Sequence, residues 1–331
     1  MPARAGGLLV LAIGLLAVLF ASVTVGARPI SLADVWAALT TVDPDSTRHR
    51  IILELRLPRT LVGLLVGAAL GLSGAILQGA TRNPLADPGL LGIEAGAALC
   101  VVLGIAVFGI TTLSGYVWLA FLGAGIATVV VYAIASMGRE GATPVKLALS
   151  GAAVTAALYS VTSAFLITSV TTLDQIRFWQ VGALSGRTMD ILWQVAPFLG
   201  AGILLALTTG RILDGLSLGD DVARGLGQRV QLSRAYVGFV AVILARAAVA
   251  ACGPIAFVGL TIPHVARAMT GPNYRWILPF SMLLGPILLL GADIVGRVIA
   301  PPGELQVGIV TAAIGAPFFI AFVRRRKLAE L

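Results

Sequence analysis

The feature that most constrains this chain is a series of long apolar segments that recurs along nearly its whole length. Residues 6–27 and 116–137, for example, contain no charged side chain. A membrane-spanning helix needs roughly 20 apolar residues, and only helices and closed barrels can cross a bilayer. These runs are continuous, whereas barrel strands alternate apolar and polar residues. The sequence therefore predicts an all-α integral membrane protein.

The composition supports membrane insertion. Of the 331 residues, 58% are hydrophobic and only 11% are charged, whereas about a quarter of a soluble domain is charged. The chain has too few charges to cover a surface of this size in water, so lipid is the expected solvent. The net charge is +8, but the basic residues form short clusters between apolar runs, as topology signals do. With no basic stripe interleaved with aromatic residues, nucleic-acid binding is excluded.

We expect about ten transmembrane helices in a single domain, residues 1–331. The candidate spans are 6–27, 60–80, 90–110, 116–137, 145–168, 190–210, 234–252, 254–269, 276–300 and 305–323. The first is longer than the apolar region of a signal peptide, about 7–15 residues, so we expect an uncleaved span. Ten spans place both termini on one side, and the basic cluster at 324–327 predicts that this side is cytoplasmic.

The sequence contains no pattern typical of a catalytic or metal site. The cysteines, Cys100 and Cys252, lie in apolar stretches without metal-ligand spacing, and His49 and His264 are isolated in sequence. Neither a Ser/His/Asp arrangement nor GxSxG is present. There is also no GxxxxGK[ST] motif, so any ATP hydrolysis must belong to a separate subunit. We expect no catalytic residue, no metal and no cofactor, and therefore a protein that is not itself an enzyme.

The loop 211–234, predicted to be cytoplasmic, is amphipathic and contains glycines that divide it into two short helices at most. Its polar side carries Asp220, Asp221 and Arg224. Its apolar residues recur on the other side: Leu216, Leu218, Val222 and Leu226. Such a face is typical of a segment that docks on a soluble partner, which we favour, or that lies on the membrane surface.

Two further patterns concern packing and charge. Gly63, Gly67 and Gly71 recur every four residues in the second span, which predicts close contact with another helix. The basic residues on the predicted external side are all arginines, and arginine is preferred where carboxylates are bound bidentately. These arginines either pair locally with acidic residues such as Glu54 and Asp174 or face an acidic partner.

Five segments together resemble one family, the FecCD-type permeases of iron-chelate and cobalamin ABC importers. The resemblance runs nearly end to end. Its strongest segments are RLPRT (56–60), NPLADP (83–88), the loop 218–230, AFVGLTIPH (256–264) and GAD (291–293). Each is weak alone, but their order and spacing are those of the family. Gln306 departs from the family's more usual proline, which affects only the expected shape of the loop before the last span.

The resemblance implies a type II ABC importer permease fold in a bacterial cytoplasmic membrane. It implies assembly with a second permease subunit, identical or different, with two cytoplasmic ATPase subunits and with an extracytoplasmic substrate-binding protein. Positions matching the family's ATPase-coupling segment are Gly219, Asp220, Ala223, Arg224, Leu226 and Gly227. Positions matching the arginines that dock the binding protein are Arg56, Arg59 and Arg297. Positions matching the cytoplasmic gate are Asn83, Leu85 and, less closely, Thr143.

The resemblance therefore predicts a permease that moves a ferric siderophore or similar metal chelate across the membrane. A haem or cobalamin permease of the same family is the first alternative. An ion-coupled secondary transporter is the alternative from another class, since such proteins are also polytopic. They place ionisable residues at mid-membrane, but the candidates here, Glu94, Arg246 and Asp293, form no obvious relay in sequence.

Overall fold

The structure, a computed structural model, describes residues 2–26, 30–137, 143–300 and 303–327. Residue 27, the end of the first predicted span, lies outside these ranges. The helices are, in chain order, α1 (Pro2–Thr24), α2 (Leu32–Thr40), α3 (Thr47–Arg50), α4 (Leu57–Thr81), α5 (Ile93–Phe108), α6 (Leu113–Ala135), α7 (Pro144–Thr168), α8 (Val170–Gln180), α9 (Met189–Thr208), α10 (Gly210–Ser217), α11 (Asp220–Gly225), α12 (Val230–Cys252), α13 (Val258–Thr270), α14 (Tyr274–Ile299) and α15 (Val307–Lys327). A π-helical stretch, Ile51–Arg56, joins α3 to α4, and a 3-10 turn, Pro88–Leu91, precedes α5.

The all-α membrane fold is confirmed: helices dominate, and the described ranges contain no strand. Seven helical stretches within them are long and apolar enough to cross a membrane. Two shorter apolar segments, Ile93–Phe108 and Val307–Ala321, fall within predicted spans. The 13 residues of α13 extend only about 20 Å, less than a bilayer core of about 30 Å. The count of about ten spans therefore stays a prediction.

Helix α4 forms the centre of the bundle and packs against α9, α12, α13 and α14. In the apolar stretch that contains α4, 83% of the residues are buried, whereas in those of α1 and α7 only 11% of the residues are buried. The predicted packing role of the glycines in α4 is confirmed. A Cβ on Gly67 would lie 2.6 Å from Cα of Pro286, and one on Gly71 would lie 2.5 Å from the carbonyl oxygen of Ser281. Both contacts are with the backbone of α14.

Because α4 crosses the whole bundle, its two ends identify the two candidate sites. The end at which α4 begins carries the three arginines predicted to dock a binding protein, and we call it the arginine end. The opposite end, where α4 finishes and α10 and α11 lie, we call the loop end. Helix α14 runs antiparallel to α4, because Gly63, Gly67 and Gly71 lie against Leu290, Pro286 and Ser281 in turn. Its first residue, Tyr274, lies at the loop end, and Asp293 lies at the arginine end.

Candidate functional sites at the two ends of the bundle

At the arginine end, Asp293 of α14 joins two arginines that are distant from each other in sequence. Nη2 of Arg59 lies 2.7 Å from Oδ1 of Asp293, and Nη2 of Arg297 lies 2.6 Å from Oδ2. The Asp293 side chain is 1% exposed and that of Arg297 is 3% exposed. Both carboxylate oxygens accept from Arg59, whose Nε lies 3.0 Å from Oδ2, and Oδ2 also accepts from Arg297. The result is a buried network with two cations for one shared anion.

Arg56 and Arg297 also bind the end of α1. Nη1 of Arg56 donates to the carbonyl oxygens of Val23 and Thr24, each at 2.7 Å, and Nη1 of Arg297 donates to that of Ser22 at 2.7 Å. The last carbonyls of a helix have no partners within it, and cations are favoured there. Both arginines therefore cap α1 and attach it to α4 and α14.

Arg59 differs because its ion pairs reach towards the surface. Its Nη1 donates to Oε2 of Glu304 at 2.8 Å, and the Glu304 side chain is 34% exposed. Arg56 and Arg297 are 7% and 3% exposed. The structure thus brings the three predicted docking arginines into one cluster and buries most of their surface. Their contact with a partner stays a prediction, and Arg59 is the member best placed for it.

Local ion pairs engage several other arginines on this side, as one of the two alternatives expected. Arg50 pairs with Glu54 at 3.7 Å, and Arg177 pairs with Asp174 at 3.0 Å. Arg48 pairs with Asp34 at 3.1 Å. The Ser31 hydroxyl, which donates to the same carboxylate, is the main cause that holds the pKa of Asp34 below its usual value, and Arg48 adds to it.

At the loop end, the predicted amphipathic segment forms the two short helices α10 and α11. Gly219 and Gly227 adopt φ angles of 106° and 81° on either side of α11, in a region that favours glycine. Within and directly beside α11, the exposed apolar residues are Leu218, Val222 and Leu226. They form an apolar surface that no described part of the chain covers.

Two residues of this segment are not on that surface. Leu216, expected on the apolar docking side, is 1% exposed, and Ala223, assigned to ATPase coupling, is 0% exposed. Both side chains face the interior of the protein. The small side chain of Ala223 therefore allows α11 to pack closely against the rest of the chain. Arg224 is exposed and donates to Asp221 at 2.8 Å within the same helix.

Aspartates attach α10 and α11 to the bundle. Oδ1 of Asp220 accepts from Nη2 of Arg234 in α12 at 2.7 Å and lies 3.5 Å from Nη2 of Arg82, the residue that follows α4. Asp214 in α10 accepts from the backbone N–H of Tyr274, the first residue of α14, at 2.7 Å. The loop-end segment is therefore connected to α4, α12 and α14 through polar contacts.

The predicted gate residues Asn83 and Leu85 lie next to Arg82. Oδ1 of Asn83 accepts from the backbone N–H of Leu85 at 2.9 Å, and the Leu85 side chain is 50% exposed. Nε2 of His264, in α13, lies 2.9 Å from the carbonyl oxygen of Pro84. His264 is isolated in sequence, and its place in the AFVGLTIPH motif is the only sequence signal for this contact.

Thr143 lies elsewhere, at the start of α7. Its hydroxyl accepts from the backbone N–H of Lys146 at 3.3 Å and so caps that helix. Among the described residues, no hydrogen bond joins Thr143 to Asn83 or Leu85. The structure thus brings two of the three predicted gate residues together and leaves the third on a separate element.

The three intramembrane ionisable residues lie in separate surroundings. Asp293 belongs to the arginine network, and Arg246 in α12 donates from Nε and Nη2 to the carbonyl oxygen of Phe121, at 3.2 and 2.9 Å. Glu94 and Asp87 line a cavity of about 10 Å³, room for about one water. No group of three potential metal ligands occurs in the part of the chain that the structure describes.

Comparisons with known proteins agree with the fold. The profile of the FecCD transport family matches residues 14–325. A probable siderophore transport system permease, YfiZ of Bacillus subtilis (strain 168), is 43% identical over 94% of this chain and 93% of its own. The ferric enterobactin transport system permease FepD of Escherichia coli (strain K12) is 46% identical over 92% of this chain and 91% of its own.

A solved structure is similar along the same length. It is an inward-facing conformation of a metal-chelate type ABC transporter, with a TM-score of 0.85 and 30% sequence identity, and the match covers 97% of this chain and 99% of that one. A profile match over nearly all of the sequence, close relatives of similar length and a shared fold lead to one conclusion. The chain belongs to the FecCD transport family.

Proposed function

We propose that this chain is the membrane permease subunit of a binding-protein-dependent ABC importer that carries ferric siderophores. The observation that carries the proposal is the 46% identity to a ferric enterobactin permease over 92% of the chain. On this proposal the chain is one transmembrane domain in a bacterial cytoplasmic membrane. It pairs with a second permease subunit, two separate ATPase subunits dock at the loop end, and a substrate-binding protein docks at the arginine end.

The test is transport by the reconstituted complex in proteoliposomes, assembled with the matched ATPase subunits and substrate-binding protein. A panel of ferric siderophores, haem and cobalamin is offered with and without ATP. We expect ATP-dependent accumulation of at least one ferric siderophore, with stimulation of ATP hydrolysis by the loaded binding protein. Preference for haem or cobalamin would reassign the substrate. Uptake driven by an ion gradient without ATP would contradict the proposal and support a secondary transporter.

The orientation of the chain is part of the proposal and has its own test. The positive-inside rule predicts that the loop end, with both termini, faces the cytoplasm. Cysteines introduced at Ser217 and Ser46, after replacement of Cys100 and Cys252, should therefore react with a membrane-impermeant maleimide from opposite sides. We expect Ser46→Cys to label in intact spheroplasts and Ser217→Cys only in inverted vesicles. Labelling of both positions from outside would contradict this orientation.

Docking at the arginine end predicts opposite effects for the two members of one ion pair. If an acidic partner binds Arg59, Glu304 competes with it for Nη1. Glu304→Gln should therefore strengthen docking by a few fold, and Arg59→Gln should weaken it about tenfold, mainly through the association rate and its salt dependence. Surface plasmon resonance of the binding protein on permease nanodiscs, at low and moderate salt, measures both effects.

Glu54→Gln is the matched control for this pair of variants. Glu54 lies on the same side, is 64% exposed and pairs with Arg50 at 3.7 Å, so its removal should leave docking unchanged. Equal affinities and salt slopes for wild type, Arg59→Gln and Glu304→Gln would remove Arg59 from the docking surface. The capping arginines are unsuitable for this comparison because their loss would also release α1.

A further inference from the structure

The first residue of α11, Asp220, connects three elements of the loop end. Its Oδ1 accepts from Nη2 of Arg234 in α12 at 2.7 Å and lies 3.5 Å from Nη2 of Arg82. The Asp220 side chain is 27% exposed, against 31% for Arg234 and 47% for Arg82. One carboxylate oxygen thus lies between two cations that α11 itself does not provide. The ion pairs join α11 to α12 and to the end of the central helix.

Arg82 is the residue at which the chain leaves α4 and enters the segment 83–86, which contains the predicted gate residues. It adopts φ 53° and ψ 28°, a left-handed conformation that is uncommon for residues other than glycine. The segment that follows is held at two points: Asn83 accepts from the N–H of Leu85, and the carbonyl oxygen of Pro84 contacts His264. Because Arg82 directly precedes segment 83–86, a displacement of Arg82 would displace the start of that segment.

From this arrangement we propose that Asp220 is a positioning residue that transmits movement of α11 to segment 83–86 through Arg82. The inference rests on the proposed function, in which ATPase subunits contact α10 and α11. The exposed apolar residues of the segment would make the contact, and the ion pair would carry the displacement to the gate. Partly exposed ion pairs contribute little to stability, so loss of this pair should leave the permease folded.

The neighbouring aspartate offers a contrast within the same helix. Asp221 is 98% exposed, and its ion pair is with Arg224, one turn further along α11. It has no described contact outside α11, so it can affect the surface that a partner binds without linking that surface to α4. Variants of these two adjacent aspartates therefore distinguish two roles. Asp220 links α11 to α4, and Asp221 lies only on the surface that a partner would contact.

The experiment uses the complete complex in proteoliposomes and measures substrate transported per ATP hydrolysed. For Asp220→Asn we expect the ATPase to remain bound and hydrolysis to continue, while the ratio falls about fivefold or more. Asp220→Glu keeps the charge and should restore at least half of the ratio. Any loss in Asp221→Asn should reduce hydrolysis and transport alike and leave the ratio at the wild-type value.

A double-variant comparison tests the partner. If Asp220 acts through Arg82, then Arg82→Gln should lower the ratio similarly, and the combination with Asp220→Asn should be no worse than either alone. A wild-type ratio in Asp220→Asn overturns the inference, as does a proportional loss of hydrolysis and transport with release of the ATPase. If the double variant lowers the ratio by the product of the two single-variant effects, the two residues act independently and the role of Arg82 is overturned. A wild-type complex without ATP-dependent uptake of any chelate overturns the proposed function itself, and the inference with it.

Discussion

Replacement of Asp293 by alanine is expected to lower the stability of the folded permease strongly and to reduce the amount that accumulates in the membrane. Asp293 is 1% exposed and accepts from both Arg59 and Arg297, so its removal leaves two mostly buried cations without this shared carboxylate. Removing one partner of a buried ion pair typically costs about 3–5 kcal/mol, a large part of a total stability of about 5–15 kcal/mol. Fluorescence-detected size-exclusion of the heated, detergent-solubilised protein should show an apparent Tm lower by about 10 °C.

Asp174→Ala is the matched control for this experiment. Asp174 also pairs with an arginine, Arg177, but the two side chains are 56% and 57% exposed. Exposed pairs contribute about 0–1 kcal/mol, so the melting temperature should hardly change. The double variant Asp293→Ala with Arg59→Met removes one of the two cations, leaves the arginines that cap α1 in place, and should accumulate better than Asp293→Ala alone. A wild-type melting temperature for Asp293→Ala would show that the network does not stabilise the arginine end.

The role of Asp293 illustrates what the sequence could not predict. Arg59 lies 234 positions from Asp293, and no local pattern indicates which intramembrane acid a distant arginine will bind. Part of the signal was nevertheless present. Arg297 is four residues after Asp293, the spacing at which two side chains of one helix meet. That spacing could have predicted half of the network and the burial of Arg297.

The helices themselves were predictable because a spanning segment must satisfy its backbone within the helix and present apolar side chains to lipid. The two short helices of loop 211–234 were also expected from its glycines, and α10 and α11 confirm them. The sequence could not predict which face of α10 and of α11 is buried. Leu216 and Ala223 face inward because Asp214 and Asp220 bind groups on α4, α12 and α14 that are distant in sequence.

The glycine pattern of α4 gives the second large expected effect, because it sets how closely α4 and α14 approach. In Gly67→Leu the new Cβ alone would lie 2.6 Å from N and Cα of Pro286. These are backbone atoms, so no side-chain rotation can relieve the overlap and the two helices must separate. Overpacking in a close-packed core typically costs about 1–3 kcal/mol, and sometimes more. Since α4 also packs against α9, α12 and α13, we expect little or no folded protein in a membrane extract.

Gly291→Ala, in the partner helix α14, is the matched control: it also replaces a helical glycine, but we expect no loss of stability. A Cβ there would meet no atom within 4 Å, and alanine is favoured over glycine inside a helix by up to about 1 kcal/mol. Gly67→Ala, with the smallest possible side chain, should fall between Gly67→Leu and wild type, and Gly291→Ala should be at least as stable as wild type. The amount of folded protein in a membrane extract ranks all four proteins, and heating in the same detergent compares the melting temperatures of wild type, Gly67→Ala and Gly291→Ala. If Gly67→Ala and Gly291→Ala melt together with wild type, the contact between Gly67 and Pro286 does not limit helix packing.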